Sequence, residues 1–528
     1  MTQQQIDAMT TGPSYECNAA AMLLDRTRRS VQRMALVVPG AVELTYGQLG
    51  DRIARTVAEL RATGVRRGDR VAFGAANCTE VVEYMVATLS LGAIFVPLNT
   101  RLSPAELRFV LEDAGAVVVV ADSAAAALVD GDRPDIDGLE LLHLGPAPAP
   151  DGWRRAGETH SGGPGRSIAD THPDDVAVLM YTSGTTGVAK GVMITHGNLA
   201  ATVHNLMLLI PLGADAGMLA MAPIFHVGAM ALVLGALATG GRVVILPQFD
   251  PAAVFNALES QPITFSFGVP AMLQMMAAEP RFTDADLSGV LLMCAGAPVP
   301  ESLLHRYLER GAKVTQGYGL TESTAVVSLL ESDDAARKLG SAGMPYPLTA
   351  VELRTAEGAL ITAAGVDGEI WIKGRNVVAG YWNRPEETAA LRDDDGWLRT
   401  GDAGRFDAEG YLYITDRVKD MVISGGENVY PAEVEKALSG HPGVAEVAVI
   451  GLPDERWGEV VTAVVVPEPG HDVDLETVQA HVRNHLGGYK VPRRLHLADE
   501  LPRNATGKVL KRSLRDALAG SSPSGADA

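Results

Sequence analysis

Residues Val176–His196 read VAVLMYTSGTTGVAKGVMITH. Apolar runs lie on both sides of a glycine-rich loop, so the segment reads as strand, loop, strand. The glycines let backbone N–H groups turn inward, Ser183, Thr185 and Thr186 add hydroxyl donors, and Lys190 adds charge. That is the chemistry of a polyphosphate clamp. It is not the nucleotide P-loop: Ala189 precedes Lys190 where that motif needs Gly, Gly191 stands where it needs a magnesium-binding hydroxyl, and a strand follows instead of a helix N-terminus. Taken alone, a turn merely rich in Ser, Thr and Gly competes with the clamp.

The same alternation extends in both directions. Upstream, LTYGQLGDRIARTVAELRATGVRRGDRVAFGAAN from Leu44 predicts a helix and then a strand, and AIFVPL and AVVVVA predict strands separated by helical SPAELRFVLEDAG. Downstream, MLAMAPIFH, RVVILP, ITFSFGVP and GVLLMCAGAP continue it, and Gly368–Tyr413 reads as short twisted strands with turns. Strands alternating with helices predict an α/β fold with parallel sheets. Pro148–Asp174, rich in Gly, Pro and Ser, predicts a surface loop. After YLYITDRVKD the pattern becomes a compact α/β unit, so a large N-terminal domain of several subdomains is expected over residues 1–415 and a small α/β domain over 416–528. The closing GSSPSGADA is expected to be disordered.

Composition narrows the function classes. A chain of 528 residues with 47% hydrophobic and 20% charged residues has ample material for buried cores. Its formal net charge of -20 argues against a nucleic-acid partner, because phosphate-backbone binding needs clustered Lys and Arg. Cys17, Cys78 and Cys294 fit neither a disulfide framework nor a zinc pattern. The opening MTQQQIDAMTTGPSYE has no basic n-region or apolar h-region, so no signal peptide is expected and the cytoplasm is the expected compartment. Asp215–Arg242 is free of charge between its end residues, yet Pro223, His226 and Gly240–Gly241 interrupt it, so a buried strand and helix are expected rather than a membrane span.

Further motifs follow the loop in order: PIFHVGAM at Pro223–Met230, CAGAPVP at Cys294–Pro300, QGYGLTES at Gln316–Ser323, RTGD at Arg399–Asp402, DRVKDMVISGGENVYP at Asp416–Pro431 and PRNATGKVLKR at Pro502–Arg512. With these the chain resembles the adenylate-forming superfamily from about Leu44 to Arg512, and within it the acyl-CoA synthetases. The resemblance implies that a carboxylic acid attacks the α-phosphate of ATP to give acyl-AMP and pyrophosphate, after which CoA displaces AMP.

It also implies roles residue by residue. Thr182, Ser183, Gly184, Thr185, Thr186, Gly187 and Lys190 would hold the departing phosphates. Gly296, Ala297 and Pro298 would wall the adenine, on which Tyr318 stacks between Gly317 and Gly319. Thr321 would bind the α-phosphate, Glu322 would hold Mg²⁺, and Asp402 with Arg417 would bind the ribose, although an ordinary ion pair competes for Arg417. Lys508 would bridge the acid and the α-phosphate. Lys419 would be the hinge about which a mobile C-terminal domain turns, bringing Gly425, Gly426 and Glu427 to CoA. His226, Val227, Gly228, Met230 and Gly268 would line the acyl pocket, with His226 positioning the substrate rather than transferring a proton.

These stretches carry no charge beyond the motif acids, which favours an apolar tail, and a medium- or long-chain fatty acid is the expected substrate. Aryl or phenylpropanoid acids and specialised-metabolite acids remain open, as does an amine or carrier-protein acceptor in place of CoA. A non-catalytic AMP-binding module is disfavoured by the intact Glu322, Asp402 and Lys508. No integral membrane segment is expected, and a homodimer is the ordinary expectation for an enzyme of this size.

Overall fold

The computed structural model describes residues 18–157, 168–182, 189–296, 299–417, 420–424, 427–429, 431–454, 458–486, 488–503 and 509–519. Its contacts divide the chain into two compact units, the first comprising Met1–Val351 and Ile372–Arg399, the second Glu352–Trp371 and Thr400–Ala528. The expected boundary at 415/416 differs from this division. The expected hinge, Lys419, lies outside the described residues, as does the C-terminal GSSPSGADA.

Unit one is built on two sheets. In the first, strands run in the order Met344–Pro345, Ser328–Leu330, Lys313–Tyr318, Leu291–Ala295, Phe265–Gly268, Gly217–Ala220, Arg242–Ile245, Met34–Val38, Val42–Thr45. From Lys313–Tyr318 to Met34–Val38 every pairing is parallel. The second sheet runs Arg154–Arg155, Glu140–His143, Ala116–Ala121, Arg70–Gly74, Ile94–Pro97, Val176–Thr182, Lys190–Thr195, parallel up to the last pair.

Side-chain alternation explains the layering, because successive strand residues face opposite sides of a sheet. Met218 and Val243 of the first sheet and Val71 and Val118 of the second share one core, whereas Leu219 and Val244 face a second core and Ala72 and Val119 a third. The shared core also takes in helices Thr79–Ser90 and Val227–Ala238. Strands buried on both faces read as continuous apolar runs, as AVVVVA does. The charge-free stretch after Asp215 is accordingly a buried strand and a buried helix, and among the described residues no helix is long and apolar enough to cross a membrane.

Two local expectations needed revision. Pro148–Asp174 is not wholly loop, since Arg154–Arg155 adds a strand beside Glu140–His143 and Trp153 is buried in the third core. Gly368–Tyr413 contains helix Pro385–Leu391, started by a proline at its first position with Glu386 and Glu387 in the first turn.

In unit two, Asp402–Phe406 pairs antiparallel with strand Leu412–Arg417. Farther along, strands Val422–Ser424, Glu427–Val429, Val444–Asp454, Gly458–Pro467 and Arg494–Leu497 form a separate sheet. Its apolar face packs on helices Pro431–Leu438 and Leu475–Arg483 through Val434, Leu438, Val478 and Val482.

Candidate active site

The strand order of the first sheet decides where a ligand fits. Gly217–Ala220 connects to Arg242–Ile245 on one side, while its other neighbour, Phe265–Gly268, connects onward to Leu291–Ala295 in the opposite direction. Chains leaving the carboxyl ends of adjacent strands in opposite directions open a crevice, the usual ligand site of parallel α/β sheets. The sequence-predicted residues gather there. His226, Val227 and Gly228 follow Gly217–Ala220, Gly268 ends the next strand, Gly296 follows Leu291–Ala295, and Gly317 and Tyr318 end Lys313–Tyr318.

Three half-buried aromatic rings belong to these strand-end segments: Phe225, His226 and Phe267, with the first two 4.6 Å apart between centroids. A Cβ added to Gly228 would meet the Phe267 ring at 3.1 Å, so glycine lets that ring close on the helix start. Met230, by contrast, is buried in the shared core. The loop before His226 is tied down by Asn77, which donates to Ala222 O at 3.0 Å and Leu246 O at 3.2 Å and accepts from Ile224 N at 2.9 Å. Burial pushes the His226 imidazole down to about 4, helped by the charge of Arg101, so the ring is neutral at neutral pH.

Beyond Tyr318 the chain turns sharply. Gly319 is required because a Cβ there would lie 1.8 Å from Ala325 O. Thr321–Ser323 forms one 3-10 turn, and Thr324 and Ala325 return with φ of 50° and 82°. A polar network holds this turn. Asn376 donates to Ser323 O and Val326 O, Thr202 Oγ1 to Thr324 O, and the backbone N–H of Val378 to Glu322 O at 3.0 Å. Asn205 supports Asn376 through Thr349, and Asn198 donates to Arg375 O and Val377 O.

The two strands read in Val176–His196 are present, Val176–Thr182 and Lys190–Thr195, and Thr182 opposes Lys190 in antiparallel register. Ser183, Gly184, Thr185, Thr186 and Gly187 lie outside the described residues. Segment Gly380–Arg384 braces the hairpin: Trp382 N donates to Gly191 O at 2.7 Å and Met193 N to Gly380 O at 3.0 Å. Asp113 secures that brace, accepting from Tyr181 OH at 2.7 Å and pairing with Arg384 at 2.8 Å. Tyr381 reaches the turn, donating its hydroxyl to Glu322 Oε1 at 2.8 Å.

In unit two, Asp402 and Arg417 are Cα partners in register, and Asp402 is 6% exposed. Glu427 lies in strand Glu427–Val429. Ala297, Pro298, Gly425, Gly426 and Lys508 lie outside the described residues. A cavity of about 330 Å³ between helices Ala20–Arg29 and Tyr46–Ala62 takes in none of the predicted residues, so polar groups at the strand ends, not cavity volume, mark the site.

Tyr381, Asn376 and Asn77 were missed by sequence reasoning, since each acts across a long sequence separation. The helix His196–Leu209 did carry a signal: Asn198, Thr202 and Asn205 fall at i, i+4 and i+7, a polar stripe on an otherwise largely apolar helix.

Parallel strands whose carboxyl ends open a crevice, with a carboxylate held on the turn beside it, define a ligand-binding protein of the α/β class. The AMP-binding enzyme family matches residues 23–382, and the AMP-binding enzyme C-terminal domain matches 433–508. The chain is 44% identical over 503 residues to a feruloyl-CoA synthase of Amycolatopsis, covering 93% of this chain and 97% of that one. It is 39% identical over 512 residues to a long-chain-fatty-acid–CoA ligase of Mycobacterium tuberculosis, covering 96% and 99%. Its fold matches o-succinylbenzoate CoA synthetase of Bacillus subtilis in complex with an acyl-adenylate intermediate, with TM-score 0.83, 32% identity and coverage of 94% and 98%. The chain belongs to the AMP-binding enzyme family, the adenylate-forming superfamily, as an acyl-CoA synthetase: an ATP-using, AMP-forming acid–thiol ligase.

Proposed function

We propose that this ligase activates an aromatic or arylpropenoic acid and transfers it to CoA. The observation carrying the choice is the set of half-buried rings, Phe225, His226 and Phe267, on the strand-end segments that flank the crevice, since ring–ring contact favours a flat aromatic tail. A feruloyl-CoA synthase at 44% identity supports the same reading. A medium- or long-chain fatty acid is the second reading, supported by the charge-free strand ends and the fatty-acid ligase at 39% identity.

The chemistry asks for neutralisation and positioning, because carboxylate and triphosphate are both anions. A carboxylate oxygen bonds to the α-phosphorus, the bond to the bridging oxygen of the β-phosphate breaks, and pyrophosphate leaves. The CoA thiol then attacks the acyl carbon and AMP departs. Thr182–Gly187 and Lys190 hold the leaving phosphates, and Tyr318 with Gly296, Ala297 and Pro298 holds adenine. Thr321 binds the α-phosphate, Asp402 and Arg417 the ribose. Lys508 bridges the reacting groups until the C-terminal domain, residues 416–528, turns about Lys419 and brings Gly425, Gly426 and Glu427 to CoA. His226, neutral by burial, orients the acid with Val227, Gly228 and Gly268 nearby.

Among the described residues no cluster of three or more His, Cys, Asp or Glu is built to hold a metal. Glu322 offers a hard carboxylate oxygen, and among the described residues no hydrogen bond reaches its Oε2. Glu322 would hold Mg²⁺ through one carboxylate oxygen, a hard donor of the kind that ion takes. The ion would supply charge neutralisation on the phosphates.

The test is incubation of purified enzyme with MgATP, a panel of aryl, arylpropenoic and aliphatic acids, and either CoA or an amine, with products identified by mass. CoA-dependent aryl thioesters formed faster than alkyl ones support the reading. Faster turnover of fatty acids moves it to the second, and acyl-AMP that ignores CoA but yields amide overturns the acceptor.

A further inference from the structure

Tyr381 touches both charged groups that the ATP reading needs. Its hydroxyl donates to Glu322 Oε1 at 2.8 Å, and the Lys190 ammonium lies over its ring, 5.2 Å from the centroid. The residue itself is fixed. Its N–H donates to Thr388 Oγ1 at 2.9 Å, it bridges Val192 in antiparallel register, and Trp382 beside it is hydrogen-bonded to Gly191 O. The backbone of Glu322 is held from the same segment by Val378 N.

The arrangement solves an electrostatic problem. A lysine and a glutamate that both serve one triphosphate site tend to pair with each other before the ligand arrives, and breaking that pair subtracts from binding. Among the described residues no Lys190–Glu322 ion pair forms. Lys190 has Glu387 at 3.8 Å, a long contact to a carboxylate 41% exposed and therefore weak. A phenol can serve both partners without cancelling either charge: its face attracts a cation, and its O–H donates to a carboxylate.

We propose that Tyr381 is a positioning residue of the ATP site, orienting the Glu322 carboxylate and carrying the Lys190 ammonium so that the two charges stay apart and available to the triphosphate and its divalent ion. The proposal rests on the reading of Glu322 as the carboxylate that faces the metal.

The experiment titrates Mn²⁺ into enzyme with ATP, without acid substrate so that no turnover occurs, and reads bound Mn²⁺ by electron paramagnetic resonance. Metal-free ATP affinity is measured in parallel by calorimetry. Tyr381→Phe keeps the ring and loses the hydroxyl, and is expected to weaken Mn²⁺ binding about tenfold, the usual cost of removing a partner of a metal-facing ligand. Metal-free ATP affinity, which reports a folded site and the Lys190 arm, is expected to stay at the parent value. Tyr381→Leu, which also removes the cation's platform, is expected to weaken metal-free ATP as well. Adding Tyr381→Phe to Glu322→Gln is expected to change Mn²⁺ binding no further, because the hydroxyl acts through that carboxylate. Parent-like Mn²⁺ binding by Tyr381→Phe, with weakened binding by Glu322→Gln, overturns the proposal and leaves the metal reading intact. Unchanged Mn²⁺ binding by Glu322→Gln overturns the metal reading itself.

Discussion

Asn376, fully buried, donates from its side-chain nitrogen to the carbonyl of Ser323 at 3.0 Å, the residue immediately after Glu322. The same nitrogen reaches Val326 O at 2.8 Å, and its oxygen accepts from Thr349 Oγ1 at 2.9 Å. One amide therefore pins both ends of the turn that carries the site carboxylate. Asn376→Leu leaves two carbonyls and a hydroxyl buried without this partner, at a cost of at least about 2 kcal/mol. A lower thermal midpoint together with a higher KM for ATP is expected; a change in stability alone would confine Asn376 to a structural role.

Gly319→Ala tests the same turn from its other strand. Its Cβ would overlap Ala325 O, and backbone cannot swing aside as a flexible side chain can. Ala325 and Thr324 already sit at positive φ, a conformation that costs of order 1–3 kcal/mol per non-glycine residue. The expected outcome is loss of acyl-AMP formation by at least about tenfold, a displacement of about an ångström being enough to cost that much, measured by pyrophosphate release.

Acid should destabilise the protein in a defined window. Burial pushes both His196 and His226 down to about 4 from an ordinary value near 6.5. Between those values the unfolded chain binds protons that the folded chain refuses, so stability falls as pH drops from about 6.5 toward 4, by up to about 1.4 kcal/mol per pH unit for each group. Above that window both rings are neutral in both states and contribute nothing. Urea midpoints from pH 7.5 to 4.5 measure the slope, and His226→Asn is expected to flatten it.

Separate half-reactions test the small domain. Lys508→Ala is expected to cut acyl-AMP formation by about 10²-fold or more, as for loss of a charge-stabilising donor. Lys419→Pro is expected to retain adenylation and slow thioester formation, because it restricts the turn between the two steps. Single-turnover assays of each half-reaction distinguish them, and proportional loss of both steps in Lys419→Pro counts against domain alternation.

Much of the site was legible because its motifs are local. The strands on either side of the glycine loop, the glycines around Tyr318 and the strands ending at Gly268 and Ala295 each show themselves within about ten residues, through glycine placement and apolar runs. Trp153 escaped because a segment read by its loop-like composition owes its order to neighbours supplied from elsewhere in the chain, and the helix Pro385–Leu391 because it is a short element inside a stretch read as short twisted strands.

By itself, then, the sequence determined the element types, the parallel α/β class and the residue chemistry of each motif, since backbone propensity and side-chain periodicity act over a few residues. Only the tertiary structure decided that Gly217–Ala220 lies beside Phe265–Gly268 and opens the crevice, that Asn376 braces the turn at Ser323, and that Tyr381 meets Glu322 across 59 positions. Those relations depend on strand order and on buried polar groups finding partners once water is excluded, and neither is written in any local pattern.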